Sequence, residues 1–223
     1  MLKRQFITMI FATTSCFYLL ASASAGEKET RLFSVYIDNK PAGNYQMQIE
    51  PTVNNGVQMT AKANVALRVL LVNYRYQFQG VELWKEGRLQ SFQSNCVDDG
   101  KKYSVSLQNK DNQQILVKNN QSELVKGDIW LSTYWQLPSQ QIRNNGFVLI
   151  DADTGKSLKI SMDKIGLEKV MALGQTVELM HYRLKGDVKV DLWYDGSNRL
   201  IRQESIEDGH KMLMQISQLQ RTK

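Results

Sequence analysis

Between Val177 and Leu219, four runs of alternating apolar and polar residues are separated by three tight-turn signals. These are Lys185-Gly186-Asp187, Asp195-Gly196-Ser197-Asn198 and Glu207-Asp208-Gly209. A period of two places Val188, Val190, Leu192 and Tyr194 on one side of a strand and Lys189, Asp191 and Trp193 on the other. Strands of this kind, half buried and joined by short turns, form an antiparallel meander. The fold of the whole chain has to accommodate that meander.

The same grammar runs through the earlier sequence. Phe33, Val35 and Ile37 alternate with polar partners, Asn39-Lys40-Pro41-Ala42-Gly43 turns the chain, and Tyr45, Met47 and Ile49 form a second face. A long face follows from Val57 to Leu67, then a run through Tyr74, Tyr76 and Phe78 to Trp84. Arg68 to Val72 is apolar without alternation and reads as a bend or a buried crossing. Leu89 to Val97, Tyr103 to Leu107 and Ile115 to Val117 continue the series. Phe147 to Ile150 and Leu158 to Ile160 predict a hairpin around Asp151-Ala152-Asp153-Thr154-Gly155. Gly166 to Leu173 is either a strand or a helical turn. A weak echo links Val81-Glu82-Leu83-Trp84 with Val190-Asp191-Leu192-Trp193, each followed by a turn and a strand.

One segment departs from the pattern. Trp130, Leu131, Tyr134 and Trp135 have helical spacing, Asp128 can cap their N-terminus and Pro138 ends the run, so one short aromatic helix is predicted there. The expected fold is mainly β: a single large antiparallel curled sheet of ten to twelve strands, a half-barrel or open barrel, with that helix plugging its concave side. A sheet of this size must curl to cover its apolar face.

The first 25 residues read as a secretory leader, with Lys3 and Arg4, an apolar stretch from Phe6 to Leu20 and the small-residue site Ala23-Ser24-Ala25. The remainder, 26–223, is expected to be one domain in the periplasm or outside the cell. Phe17 to Leu20 follow Cys16, which is the wrong side for a lipidated cysteine. Without the leader, Cys96 stands alone and no internal disulfide can form. The 28 basic residues, less Lys3 and Arg4, face 22 acidic ones, a net charge of +4 without any basic block. Nucleic acid is therefore not an expected partner, and mild attraction to an anionic membrane surface is the most the charge implies. No segment after the leader has the length of apolar sequence needed to span a membrane as a helix.

Motifs that carry chemistry are sparse. Asp153-Thr154-Gly155 matches the aspartic-protease triplet, but such enzymes need two aspartates sharing a proton and no second triplet exists. Asp and Gly at these positions are ordinary hairpin-turn residues, and the ligand spacing of a calcium loop is missing. His181 and His210 have no partner at metal spacing, so no metal or other cofactor is expected. A Cys96/His181 nucleophilic pair has no local support, and no catalytic residue is assigned.

The signal-like leader followed by Val35-Tyr36-Ile37-Asp38-Asn39-Lys40-Pro41-Ala42-Gly43 resembles the opening of an uncharacterised exported bacterial family, a domain of unknown function. Tyr74-Arg75-Tyr76, Ser132-Thr133-Tyr134-Trp135, Ile150 to Gly155 and Asp191-Leu192-Trp193-Tyr194-Asp195 extend the resemblance over nearly the whole chain. It implies no activity. Its architecture is similar to the curled sheets of periplasmic lipoprotein carriers, which implies a hydrophobic ligand, a lipid or the acyl part of a lipidated protein. The residues expected to meet such a ligand are Trp130, Tyr134, Trp135, Tyr74, Tyr76, Trp193, Met212 and Met214, although aromatics and flexible Met residues also serve an ordinary filled core. The alternatives are an envelope scaffold with a protein partner and a hydrolase centred on His181.

Overall fold

The computed structural model describes residues 27–69, 72–110, 113–207 and 209–222; the leader expected over 1–25 lies outside the described residues. The strands in chain order are β1 (Lys28–Ile37), β2 (Lys40–Thr52), β3 (Gly56–Val69), β4 (Val72–Lys85), β5 (Arg88–Asp98), β6 (Lys101–Lys110), β7 (Gln113–Lys118) and β8 (Gln121–Val125). Then follow β9 (Ile129–Leu131), the helix α1 (Gln140–Asn145), β10 (Val148–Ile150), β11 (Ser157–Leu158), β12 (Ile160–Ala172), β13 (Gln175–Gly186), β14 (Val190–Tyr194), β15 (Leu200–Glu207) and β16 (His210–Thr222).

Thirteen of these strands form one antiparallel sheet in the order β12-β13-β14-β15-β16-β1-β2-β3-β4-β5-β6-β7-β8. Every neighbouring pair is sequential except β16 and β1, which pair from Lys28↔Thr222 to Ile37↔Met212. The edges β8 and β12 are not hydrogen-bonded to each other, so the sheet is open. Three more strands form a small sheet in the order β11-β10-β9. The main sheet alone exceeds the ten to twelve strands expected, and the chain between β8 and β12 adds the second sheet.

The inward phase of each long strand builds the core. Phe33, Met47, Met59, Leu107, Leu116 and Leu192 have no measurable exposure. Burying side chains of this size contributes about 1.5–3 kcal/mol each. The small sheet and its loops fill the concavity, with Leu131, Leu149 and Ile150 also wholly buried.

The predicted aromatic helix is absent. Ile129–Leu131 is a strand, parallel to Val148–Ile150, and the chain then turns with Tyr134 at φ 49°. Trp130, Leu131, Tyr134 and Trp135 are all buried because the turn folds both halves inward, which mimics helical spacing in sequence. The short α-helix, Gln140–Asn145, carries no buried residue; the Ser139 hydroxyl caps it by accepting from the Ile142 N–H at 3.3 Å. Of the stretch read as a bend or crossing, Arg68 pairs with Asn73 and Val69 with Val72 in the β3–β4 hairpin, and Gly166 to Ala172 belongs to strand β12. The hairpin expected around 151–155 is present, pairing Leu149 with Leu158 and Ile150 with Ser157.

The internal echo does not survive in three dimensions. In β4 the inward phase is Phe78, Gly80 and Glu82, leaving Val81 and Leu83 exposed. In β14 the inward residues are Val190, Leu192 and Tyr194. Glu82 and its counterpart Asp191 therefore face opposite sides of the sheet.

Gly186 ends β13 at φ 121°, and a Cβ there would lie 2.3 Å from the Lys159 carbonyl oxygen. Gly186→Ala is expected to cost about 2 kcal/mol or more, read from the urea midpoint, because both the backbone conformation and the space exclude a side chain.

Candidate functional site

A cavity of about 610 Å³ opens at one end of the concavity. Val35, Val65, Tyr74 and Tyr76 line one wall, Met212 and Met214 another, and Val188 and Val190 close the side. The floor is made by Ser132, Thr133 and Tyr134 of the loop after β9 and by Asp151, Ala152 and Asp153 of the turn after β10. A small cluster of Val35, Ile37, Ala42 and Val65 packs with Tyr74, Tyr76, Met212 and Met214, separate from the main core below. The cavity thus lies beside one of two apolar clusters and above the inserted plug.

Polar contacts from the sheet wall fasten the plug. Glu82 of β4 is wholly buried; its Oε2 accepts from the Trp84 and Trp135 indole N–H groups at 2.7 and 2.9 Å, and its Oε1 accepts from the Thr133 hydroxyl at 2.6 Å. Burial pushes its pKa up from the ordinary 4.5 to about 7, while the three donors restrain the rise. Arg31 of β1 donates to the Trp135 carbonyl at 2.5 Å and pairs with Glu29 at 2.6 Å. The Tyr194 hydroxyl donates to the Tyr134 carbonyl at 2.9 Å, and the Trp130 indole to the Gln136 carbonyl at 3.1 Å. Buried backbone groups of an irregular loop need such partners, and the wall side chains supply them.

The turn after β10 is held likewise. Asp151 accepts from Ser132 Oγ at 3.2 Å and Thr154 Oγ1 at 2.6 Å, and the Ser94 hydroxyl of β5 donates to the Ala152 carbonyl at 2.6 Å. Tyr76 donates to the Asp153 carboxyl, 3.0 and 3.1 Å from its two oxygens. Burial first, and the neighbouring Asp151 second, push the pKa of Asp153 up to about 8.

Of the residues named from sequence, Tyr74, Tyr76, Tyr134, Met212 and Met214 come together at the cavity. Trp130 and Trp135 lie below it inside the plug, 3% and 6% exposed, and do not line it. Trp193 sits on the face of β14 turned away from the concavity, stacked on His181 at 4.3 Å between ring centres. Sequence reasoning missed Glu82, Arg31 and Thr133. The signal for Glu82 was available: counting by twos from Tyr76 and Phe78 puts it on the buried side.

His181 has carboxylates within reach, Glu168 Oε1 at 2.9 Å from Nδ1 and Asp191 Oδ1 at 2.6 Å from Nε2, but its ring is 3% exposed and does not line the cavity. Trp193 donates to Glu168 at 2.8 Å and Arg183 to Asp191 at 2.7 Å, completing a polar ladder across β12, β13 and β14. Cys96 belongs to β5, eight strand positions from β13 in the sheet order. Burial raises its thiol pKa well above the ordinary value. The two do not form a nucleophilic pair. Among the described residues, no group of three or more His, Cys, Asp or Glu side chains is placed to hold a metal, and no helix is long and apolar enough to cross a membrane.

Replacing Glu82 separates its roles. Glu82→Ala leaves two indole N–H groups and a hydroxyl unsatisfied around a void and is expected to cost about 3–5 kcal/mol. Glu82→Gln keeps an acceptor for the indoles and a donor for Thr133. A carboxyl raised from 4.5 to about 7 binds more protons in the folded than in the unfolded state. Its stabilising contribution is full below pH 4.5 and declines through pH 7, by about 3 kcal/mol. The glutamine variant removes that decline, which chemical denaturation at pH 5 and pH 8 will measure.

Comparison with known proteins bears on the fold and the family. No curated protein matches the chain. A β-barrel-like protein of domain of unknown function DUF1849 from Brucella abortus superposes with a TM-score of 0.59 at 8% identity, covering 88% of this chain and 98% of that one, and shares its fold. A putative outer membrane lipoprotein-sorting protein domain from Vibrio parahaemolyticus overlays loosely, with a TM-score of 0.24 at 9% identity over 90% of this chain and 87% of that one. Residues 33–217 match the domain of unknown function DUF6134, a span that takes in the sheet, the plug and the cavity, and the chain belongs to that family.

Proposed function

We propose that the protein is a non-enzymatic carrier or sensor of the cell envelope that holds an apolar ligand, a lipid or the acyl part of a lipidated partner, in the mouth of its curled sheet. The cavity carries this reading. Its volume of about 610 Å³ falls in the range of small-molecule sites, and Val35, Val65, Met212 and Met214 offer apolar walls against a floor of hydroxyls and carboxyls. Such a surface suits an amphipathic molecule with its chain along the walls and its polar end at Ser132, Tyr76 and Asp153. The flexible Met212 and Met214 side chains adapt to ligands of different shape. Trp130 and Trp135 act from below as the packed base of the plug, and Tyr134 is the member of that trio that meets the ligand. The leader expected over 1–25 would deliver the chain to the envelope.

A scaffold reading draws on a different observation. Leu167 and Met171 of the edge strand β12 are 60% and 63% exposed, an apolar margin that a protein partner would cover.

Native mass spectrometry of protein isolated from the envelope compartment without detergent, followed by solvent extraction, separates the two. A discrete added mass that extracts as a lipid, and its loss in folded Met214→Glu, are expected for the ligand-binding protein. A clean apo mass, together with no uptake of the neutral dye Nile red, rejects it in favour of the scaffold.

A further inference from the structure

Turn 151–155 is driven into the concavity rather than left at its rim. Ala152 is 2% exposed, its carbonyl accepts from Ser94 and its N–H donates to Ser132 Oγ at 2.8 Å. A Cβ on Gly155 would come within 3.1 Å of the Val105 and Lys118 side chains, so the turn is packed tightly against β6 and β7. Inserting the turn carries Asp153 into the cavity floor. Among the described residues, the Tyr76 hydroxyl is its hydrogen-bond donor there, shared between both oxygens, and no cation pairs with it. A phenol has one proton to give, so an ionised carboxylate there would depend on cavity water for its remaining lone pairs.

The ionisable groups around that carboxyl are mostly acids, phenols and a thiol, with two lysines at the exposed edge of the cavity. The acids, phenols and thiol are Asp151 and Tyr134 in the plug, Asp98 and Cys96 on β5, Glu207 on β15, and Tyr45, Tyr74 and Tyr76 on β2 and β4. Lys156 and Lys189 line the same cavity but are exposed at its rim. Placing a second negative charge beside Asp151 in such surroundings works against keeping the turn inserted, whereas a neutral carboxyl fits.

We infer that turn 151–155 is a proton-gated floor, seated in the sheet while the Asp153 carboxyl carries its proton and loosened when that proton leaves. The sign follows from the direction of the shift. A carboxyl held from the ordinary 3.8 up to about 8 binds more protons seated than unseated. Seating is therefore strongest at acid pH, weakens as pH rises above about 4 and loses this contribution through pH 8. Loosening the turn deepens the cavity toward Ser132 and the plug, so proton concentration sets its depth. The gate belongs to the ligand-free chain and goes beyond the binding reading.

Hydrogen exchange on the ligand-free protein tests it, with protection factors for the amides of 151–155 corrected for intrinsic rates between pH 5 and 9.5. Protection is expected to fall at least tenfold above pH 7, while amides of β1 and β16 stay protected. Asp153→Asn, permanently neutral, is expected to keep the turn protected throughout. The ¹³Cγ titration of Asp153 in the unaltered chain needs no variant and should have its midpoint well above pH 6. Protection that does not change with pH, a fall that persists in Asp153→Asn, or an Asp153 titration near pH 4 would each overturn the gate, whatever the outcome of the lipid experiment.

Discussion

The Glu82 carboxyl joins the wall of this protein to what fills it. An open sheet of thirteen strands has an apolar concave face, and the chain covers it with its own 128–158 segment. That segment is mostly loop, and buried loop needs partners for backbone and indole groups that strands would have paired among themselves. Glu82, Arg31, Ser94 and Tyr194 are the wall residues that supply them, and Tyr76 adds a bond to the Asp153 carboxyl. Most of these positions belong to the inward phase of a strand, where an apolar residue would ordinarily stand. The filled half of the sheet rests on those substitutions of polar for apolar, and the cavity begins where they stop.

The strands were legible in the sequence because antiparallel pairing leaves a period of two wherever one face is buried. The meander from β13 to β16 follows its turn signals closely, and the inward set Val190, Leu192 and Tyr194 is the one read from alternation. The plug was not legible in the same way. Trp130, Leu131, Tyr134 and Trp135 imitate a helical face because a turn with Tyr134 at positive φ brings two extended pieces to one side. Parallel pairing of β9 with β10 joins residues nearly twenty positions apart, and no local period records it.

The site was partly legible. Aromatic and Met residues at inward positions near the turns of one sheet end mark the cavity, and Tyr74, Tyr76, Met212 and Met214 are there. Trp193 carried the same chemistry but the opposite phase, which places it beside His181. The polar half of the site eluded the sequence because a Glu or Asp on an alternating strand reads as solvent-facing. Only the phase of its neighbours shows that Glu82 is inside. Asp153 looked like turn chemistry and is turn chemistry, but the turn points inward.

The pairing of β1 with β16 carries a consequence for how the molecule is made. Two runs of sequential hairpins, β1 to β8 and β12 to β16, can each form from nearby residues, whereas the seam between them joins Lys28 to Thr222. Long-range pairing of this kind is slow, since loop closure precedes the contacts that reward it. A chain emerging from its N-terminus must hold the inner edge of β1 unpaired until the last strand arrives, during which that edge is open to pairing with other chains. Linking the strand ends at Lys28 and Thr222 across the seam would turn the slowest contact into a local one, which makes this topology a natural subject for circular permutation.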